Sequence, residues 1–263
     1  MSAETSFLAL ACGDSYGSHF ENEGLCGVTF DIKLLPNKPL DTNITDDTKM
    51  AIILLNHYKT HKKVDEVVLK KQYKKWALKE GRADGIGLHT RDVLINNTCD
   101  KDSQGNGALM RGMPFGLQLI EDGYSFEKAV EMMNRDSYIT HKNRTISVTN
   151  KLSLDLALNG TKILEKDIYK EILQKLHRGC SAWIIHTLYI VIKALKQNLS
   201  FLDGFKYIVS YGGDTDTNCA IYGAIRGYKE DISNEINLDD FVSTDVKFSI
   251  KTEPDIILSN IFV

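Results

Sequence analysis

Gly212-Gly213-Asp214-Thr215-Asp216-Thr217-Asn218 runs directly into Cys219-Ala220-Ile221-Tyr222-Gly223-Ala224-Ile225. A head of carboxylates and hydroxyls thus opens a segment whose apolar residues, Ala220, Ile221, Ala224 and Ile225, fall at helical spacing. The same join occurs upstream, where Thr45-Asp46-Asp47-Thr48 precedes Lys49 to Tyr58 and Met50, Ile53, Leu54 and Tyr58 share one helical face. Both read as helix N-termini. Helical spacing recurs at Val64–Val67–Val68, Tyr73–Trp76–Ala77 and Ile146–Leu152–Leu156. It appears again at Ile184–Leu188–Val191–Leu195 and Phe201–Phe205–Ile208–Val209. The four prolines, Pro36, Pro39, Pro114 and Pro254, leave room for long helices. No series of strands joined by hairpin turns precedes residue 240. The expectation is a compact all-α fold in one domain over residues 1–263, with its core at about 7–228.

Two stretches depart from that pattern. Leu25 to Asn43 holds Gly27, Pro36 and Pro39 with little periodicity and reads as a long surface loop. In the C-terminal extension, residues 231–263, Val246, Phe248 and Ile250 alternate with polar residues, so an irregular or β-like tail with a short strand is expected.

A chain of 263 residues with 43% hydrophobic and 25% charged residues is long and apolar enough for a sizeable core. Its 32 Lys+Arg against 35 Asp+Glu, a net charge of −3, argue against a nucleic-acid binder working through broad basic surface. Five scattered cysteines without a C-x-x-C pair argue against a disulfide framework or a zinc ribbon and make a reducing compartment the default. The apolar run Phe7–Cys12 has no basic residue before it and does not read as a secretory signal. Trp183 to Leu195 is interrupted by His186 and Lys193 and reads as a buried helix, too short to span a bilayer. A soluble cytoplasmic protein with no membrane partner is expected.

The acidic heads carry the chemistry. Thr, Asp and Asn are ordinary N-caps, and carboxylates suit the positive end of a helix dipole. One cap needs one side-chain oxygen, however, and each head supplies several. Placing Asp46 beside Asp47, and Asp214 near Asp216, adds like-charge repulsion that a divalent cation would remove. Oxygen-only donors favour Mg²⁺, Mn²⁺ or Ca²⁺ over zinc or copper. If the heads meet, they can hold two ions. Neither matches an EF-hand loop.

Two glycine-bearing segments accompany them. Gly105-Asn106-Gly107-Ala108-Leu109-Met110-Arg111 could bring backbone N–H groups close to a phosphate or sugar, with Arg111 adding charge. It is neither a Walker A loop nor a dinucleotide fingerprint. In Gly13-Asp14-Ser15-Tyr16-Gly17-Ser18-His19-Phe20-Glu21, Asp14 reads as ordering a turn. His57 and His61 lack the Glu of H-E-x-x-H and read as a solvated helix end, while Lys70, Lys71, Lys74 and Lys75 read as a charged outer face. Cys12 and Cys219 read as small buried fillers.

In this order, the four motifs resemble those of the ADP-ribosylglycohydrolases, from about Phe7 to Tyr228. The resemblance implies an all-α fold with a two-metal Mg²⁺ or Mn²⁺ centre at the base of a cleft. It implies metal ligation by Thr45, Asp46 and Asp47 from one side and by Asp214, Asp216 and Thr217 from the other. Glu21 matches an acidic position with catalytic proton chemistry, so the catalytic set is Glu21, Asp46, Asp47 and Asp216. Gly105, Asn106 and Gly107 match the loop that holds the ADP-ribose phosphates and adjoining ribose, and Thr140-His141 matches a pair near the ligand. Where some members carry a catalytic Asp three residues before the Asn of that loop, this chain has Ser103, kept as a substrate-binding candidate while the proton role moves to Glu21.

The implied activity is metal-dependent hydrolysis of the C1″ bond between ADP-ribose and a modified protein side chain, arginine favoured, or a small conjugate. A non-catalytic ADP-ribose binder and a metal-dependent nucleotide phosphatase are the alternatives.

Overall fold

The computed structural model describes residues 2–21, 31–98 and 100–251. Twelve α-helices occur among them: α1 (Ala3–Ser18), α2 (Asp46–His61), α3 (Glu66–Lys79), α4 (Leu88–Arg91), α5 (Leu109–Glu121) and α6 (Phe126–Ser137). They continue as α7 (Arg144–Asn159), α8 (Lys170–Lys175), α9 (Ile184–Leu195), α10 (Phe201–Val209), α11 (Thr215–Lys229) and α12 (Thr244–Lys251). No strand occurs among the described residues; one isolated bridge joins Gly105 to Trp183. The all-α expectation holds, and each segment singled out for helical spacing contributes to a helix.

The centre of the fold is the pair α1 and α11. Helix α1 is buried from Phe7 to Gly17 on all sides, as a central helix must be. Gly13 and Gly17 belong to this helix, not to a turn. A Cβ on Gly13 would lie 2.2 Å from the Cys219 carbonyl oxygen, and one on Gly17 would lie 2.3 Å from that of Thr215. Gly223 and Gly227 of α11 sit equally close to Ala9. Contacts that climb one helix while descending the other mean antiparallel axes, and the glycines let the backbones touch. The seam therefore delivers the C-terminal end of α1 to the N-terminal end of α11. The Thr215 hydroxyl donates to the Gly17 carbonyl at 2.8 Å and fixes the register.

Helix α2 enters the same place. Thr45 N-caps it as its sequence predicts, with its side chain accepting from the Asp47 N–H. A second cap comes from another helix. Asp14 of α1 accepts from the Thr45 N–H at 3.0 Å, the Thr45 hydroxyl at 2.8 Å, the Thr48 N–H at 3.1 Å and the Thr48 hydroxyl at 2.5 Å. Asp14 thus orders no local turn; it ties α1 to α2.

The buried apolar residues form one cluster from Ala3 to Ile250. Tyr16 stacks on Phe205 and Phe241 at ring separations of 5.8 and 6.2 Å, joining α1 to α10 and to the segment before α12.

Several expectations are corrected. Val246, Phe248 and Ile250 lie in helix α12, where Ser249 and Ile250 are buried, so no strand forms there. Docking on the helical body decides its conformation against a two-residue alternation. Of the loop expected at Leu25–Asn43, residues 25–30 lie outside the described residues. The remainder holds one 3₁₀ turn, Ile32–Leu34, and is pinned by the Tyr16 hydroxyl to the Pro36 carbonyl at 2.8 Å and by Lys206 to Asn37 at 2.6 Å. His57 is buried, not solvated: its Nδ1 meets Gln72 at 2.9 Å and its Nε2 accepts from the Asp65 N–H. Cys12 and Cys219 are free and buried as expected, whereas Cys180 is disulfide-bonded.

Candidate active site

The two acidic heads meet. The hydroxyl of Thr217, at the start of α11, donates to Asp47 Oδ2 at 3.2 Å, and the Thr45 hydroxyl lies 3.2 Å from the same oxygen. Carboxylate oxygens of Asp14, Asp47 and Asp216 lie within 4.8 Å of one another, and so do those of Glu21, Asp214 and Asp216. Asp216 belongs to both groups. The ends of α1, α2 and α11, with Glu21 three residues past α1, thus bring five carboxylates into two adjoining groups.

These carboxylates have little to neutralise them. Burial pushes the carboxyls of Asp46, Asp47 and Asp216 well above the usual carboxylate range, and neighbouring aspartates push them further. Burial also raises Asp14, against the hydrogen bonds from Thr48 and Thr45. Glu21, at the exposed end of the group, is raised by burial first and then by the charges of Asp214 and Asp14. Asp47 Oδ1 is buried with no hydrogen-bond partner among the described residues.

A cavity of about 400 Å³ opens over this cluster. Glu21, Asp46, Asp214, Asp216 and Thr217 form one wall, and Gly105, Asn106, Gly107 and His141 form another that meets it where Asn106 touches Asp214. Among the sequence-derived candidates, Thr45 and Asp47 sit behind the acidic wall and Ser103 is away from the cavity; Ser103 makes a long backbone hydrogen bond to Asp100.

The second wall is built from the G-N-G loop, at the entry to α5. The Asn106 side-chain amide donates to the Thr187 hydroxyl at 2.9 Å and to Asp214 Oδ2 at 2.6 Å, and its backbone N–H donates to the Ala182 carbonyl. All its donors are spent inside the protein, so Asn106 braces Asp214 by direct contact at the edge of the cavity. Arg111 does not reach the cavity, contrary to the expectation that it adds charge there. It is fully buried, paired with Asp136 at 2.9 Å, and donates to the Gly107 carbonyl at 2.5 Å and the Thr140 hydroxyl at 2.8 Å. Tyr73 donates to the same aspartate at 2.7 Å.

Thr140 Oγ1 lies 2.9 Å from His141 Nδ1. Burial, then the charges of Arg111 and His89, hold the His141 pKa well below its ordinary value, so the ring is neutral. Its Nε2 closes on Gly105, where an added Cβ would stand 3.0 Å away.

His89, Thr90 and Cys180 were not singled out from the sequence although they line the cavity, and Asp14 was read only as ordering a turn although it sits in the cluster. For Asp14 a signal existed. Gly13 and Gly17, four apart at the end of an apolar run, mark close helix packing, which places Asp14 in a buried helix.

With this geometry in place, comparison with known proteins decides the family. The sequence model of the ADP-ribosylglycohydrolase family matches residues 3–234. The chain belongs to the ADP-ribosylglycohydrolase family.

A protein of Acanthamoeba polyphaga mimivirus, provisionally named an ADP-ribosyl glycohydrolase, is 23% identical, with 86% of each chain covered. A solved structure described as an ADP-ribosylglycohydrolase-related protein complex shares the fold at a TM-score of 0.72 and 20% identity, covering 97% of each chain. As an ADP-ribosylglycohydrolase the protein is an enzyme, a hydrolase acting on glycosyl bonds. Both acidic heads and the G-N-G loop fall within the family match, and α12 falls after it. No described helix is long and apolar enough to cross a membrane.

Proposed function

We propose that the protein hydrolyses the C1″ bond linking ADP-ribose to a modified side chain, arginine favoured, or to a small conjugate, with two divalent ions, Mg²⁺ or Mn²⁺, in the acidic cluster. One observation carries this reading: two carboxylate groups that share Asp216, backed by a buried Asp47 oxygen without a partner. A donor set made only of carboxylates and hydroxyls fits a hard cation. Thr45, Asp46, Asp47, Asp214, Asp216 and Thr217 would hold the pair of ions, with Asp14 behind them. Bound there, the ions supply charge to orient the ribose hydroxyls and to lower the pKa of a water.

The chain's own residues do the rest. Asn106 keeps Asp214 in one orientation, so the acidic wall is preorganised before substrate enters. Glu21, at the cavity mouth and raised above its usual pKa, is placed to pass a proton between water and leaving group. Neutral His141 and the loop 105–107 form the second wall, against which the sugar is held without adding positive charge next to the oxocarbenium-like transition state.

The test is release of free ADP-ribose from an arginine-ADP-ribosylated peptide with Mg²⁺ or Mn²⁺ and again in EDTA, with a serine-linked peptide alongside. Release from the arginine peptide that EDTA abolishes is the expected result. Release from the serine peptide alone would move the linkage. Release of inorganic phosphate in place of ADP-ribose, or tight ADP-ribose binding with no turnover of any conjugate, would overturn the reading.

A further inference from the structure

Behind the wall that carries His141 lies a second hollow, of about 730 Å³. Val67, Lys70, Lys71 and Lys74, one stripe of α3, line one side of it, and Tyr138 and Lys142 line the other. His141 faces the active-site cavity and Lys142, the next residue, faces the hollow. The two spaces therefore lie on either side of one short stretch of chain.

Charge in this hollow is unbalanced. Its one acid, Glu66, is taken by Arg135 at 2.6 Å. Lys70, Lys71, Lys74 and Lys142 have no carboxylate partner among the described residues, unlike Lys128, Lys166 and Lys175, which each have one. Four unpaired cations round one hollow repel one another, on a chain whose net charge is −3. Apolar surface is left open beside them, with Val67 67% and Tyr138 39% exposed.

We propose that this hollow docks an acidic segment of a protein substrate, next to the modified side chain seated in the cavity; the inference rests on the reading of the cavity given above. Lys70 and Lys74 are one helical turn apart, about 6 Å along the axis. Alternate side chains of an extended peptide repeat at about 6.6 Å, so two carboxylates on one face of the peptide can meet both lysines. Val67 and Tyr138 suit the aliphatic parts of a peptide. A single tyrosine offers no platform for successive bases, so a peptide is favoured over single-stranded nucleic acid.

The experiment uses an unmodified, fluorescein-labelled Asp/Glu-rich peptide, a Ser/Gly peptide and an oligothymidylate, each titrated with the protein by fluorescence anisotropy. The acidic peptide is expected to bind at low salt, to weaken as salt rises, and to lose about tenfold or more in the Lys71→Glu/Lys74→Glu variant. No binding, binding unchanged in that variant, or tighter binding of the oligothymidylate overturns the proposal.

A kinetic arm separates this inference from the reading of the cavity. With ADP-ribosyl-arginine placed in acidic and in neutral peptides, the acidic context should lower KM by about tenfold with kcat unchanged, and the double variant should erase the difference while still cleaving free ADP-ribosyl-arginine. Turnover without any difference between contexts overturns the docking. Persistent binding of the acidic peptide without turnover of any conjugate supports the docking and overturns the reading of the cavity.

Discussion

On the G-N-G side of the cavity, the buried guanidinium of Arg111 meets Asp136, the Gly107 carbonyl and the Thr140 hydroxyl. In the acidic wall, Asp14, Asp47 and Asp216 are also buried but meet only hydroxyls, backbone amides and one another. The first wall is complete by itself. The second has no cation beside it among the described residues, which is the role the proposed ions would fill. Buried charge alone therefore does not mark a site; the partner inventory does. Arg111 is a post that holds the loop 105–107 and Thr140 in place, whereas the aspartates have no such partner among the described residues.

This contrast can be broken most sharply at Arg111. Arg111→Met leaves Asp136 buried and uncompensated, and the expected loss is about 3–5 kcal/mol of stability. At roughly 2–4 °C per kcal/mol this is a large fall in Tm, read by thermal unfolding with EDTA and with Mg²⁺ alike. A variant that melts within a degree of the parent would mean that the pair is not the structural post described.

Asp216→Asn should do the reverse on the other wall. Removing one charge from the shared position relieves repulsion, so the EDTA-treated variant should melt no lower than the EDTA-treated parent. Its turnover should fall by on the order of 100-fold or more, since even groups that only orient metal ligands cost 10–100-fold. Full activity in Asp216→Asn would remove the cluster from the chemistry.

How much of this was legible in the sequence follows from the same contrast. Helix periodicity reports a buried face wherever it runs for three turns, which is why α2, α3, α7, α9 and α11 could be placed. The short α12 carries too few residues for the period to declare itself, and its alternation misled. The acidic heads were legible because repeated carboxylates at a helix start exceed what a cap needs. Their meeting was not, because it depends on α1 lying antiparallel to α11 over four glycines. Arg111 was misplaced for a related reason. A charged residue after a glycine loop looks the same in sequence whether it faces a cavity or a buried aspartate 25 residues away.

A smaller effect is expected from pH. Without a cation, the carboxyls of Asp14, Asp46, Asp47 and Asp216 have folded-state pKa values above the unfolded ones. Their contribution is fully present below the ordinary carboxylate range near pH 4 and is lost as pH rises through the raised values. In EDTA the protein should therefore melt lower at pH 8 than at pH 5, with a shallower slope in Asp216→Asn. Mg²⁺ or Mn²⁺ at about 100 times its Kd should restore roughly 2.7 kcal/mol at pH 8. A Tm in EDTA that rises from pH 5 to pH 8 would contradict an uncompensated cluster.

The smallest effect is expected at Ser103. The resemblance puts it at a position that carries a catalytic aspartate in some members, yet it lies outside the cavity walls. Its neighbour in the loop, Asn106, is the residue that contacts Asp214. Ser103→Ala should leave kcat/KM within about twofold of the parent, the range of a half-buried substitution that touches nothing essential. Asn106→Ala should lower it by roughly 10–100-fold, by freeing a metal-side carboxylate to turn. If the two variants came out the other way round, the loop would have to carry its chemistry through Ser103, and the brace between the walls would be packing alone.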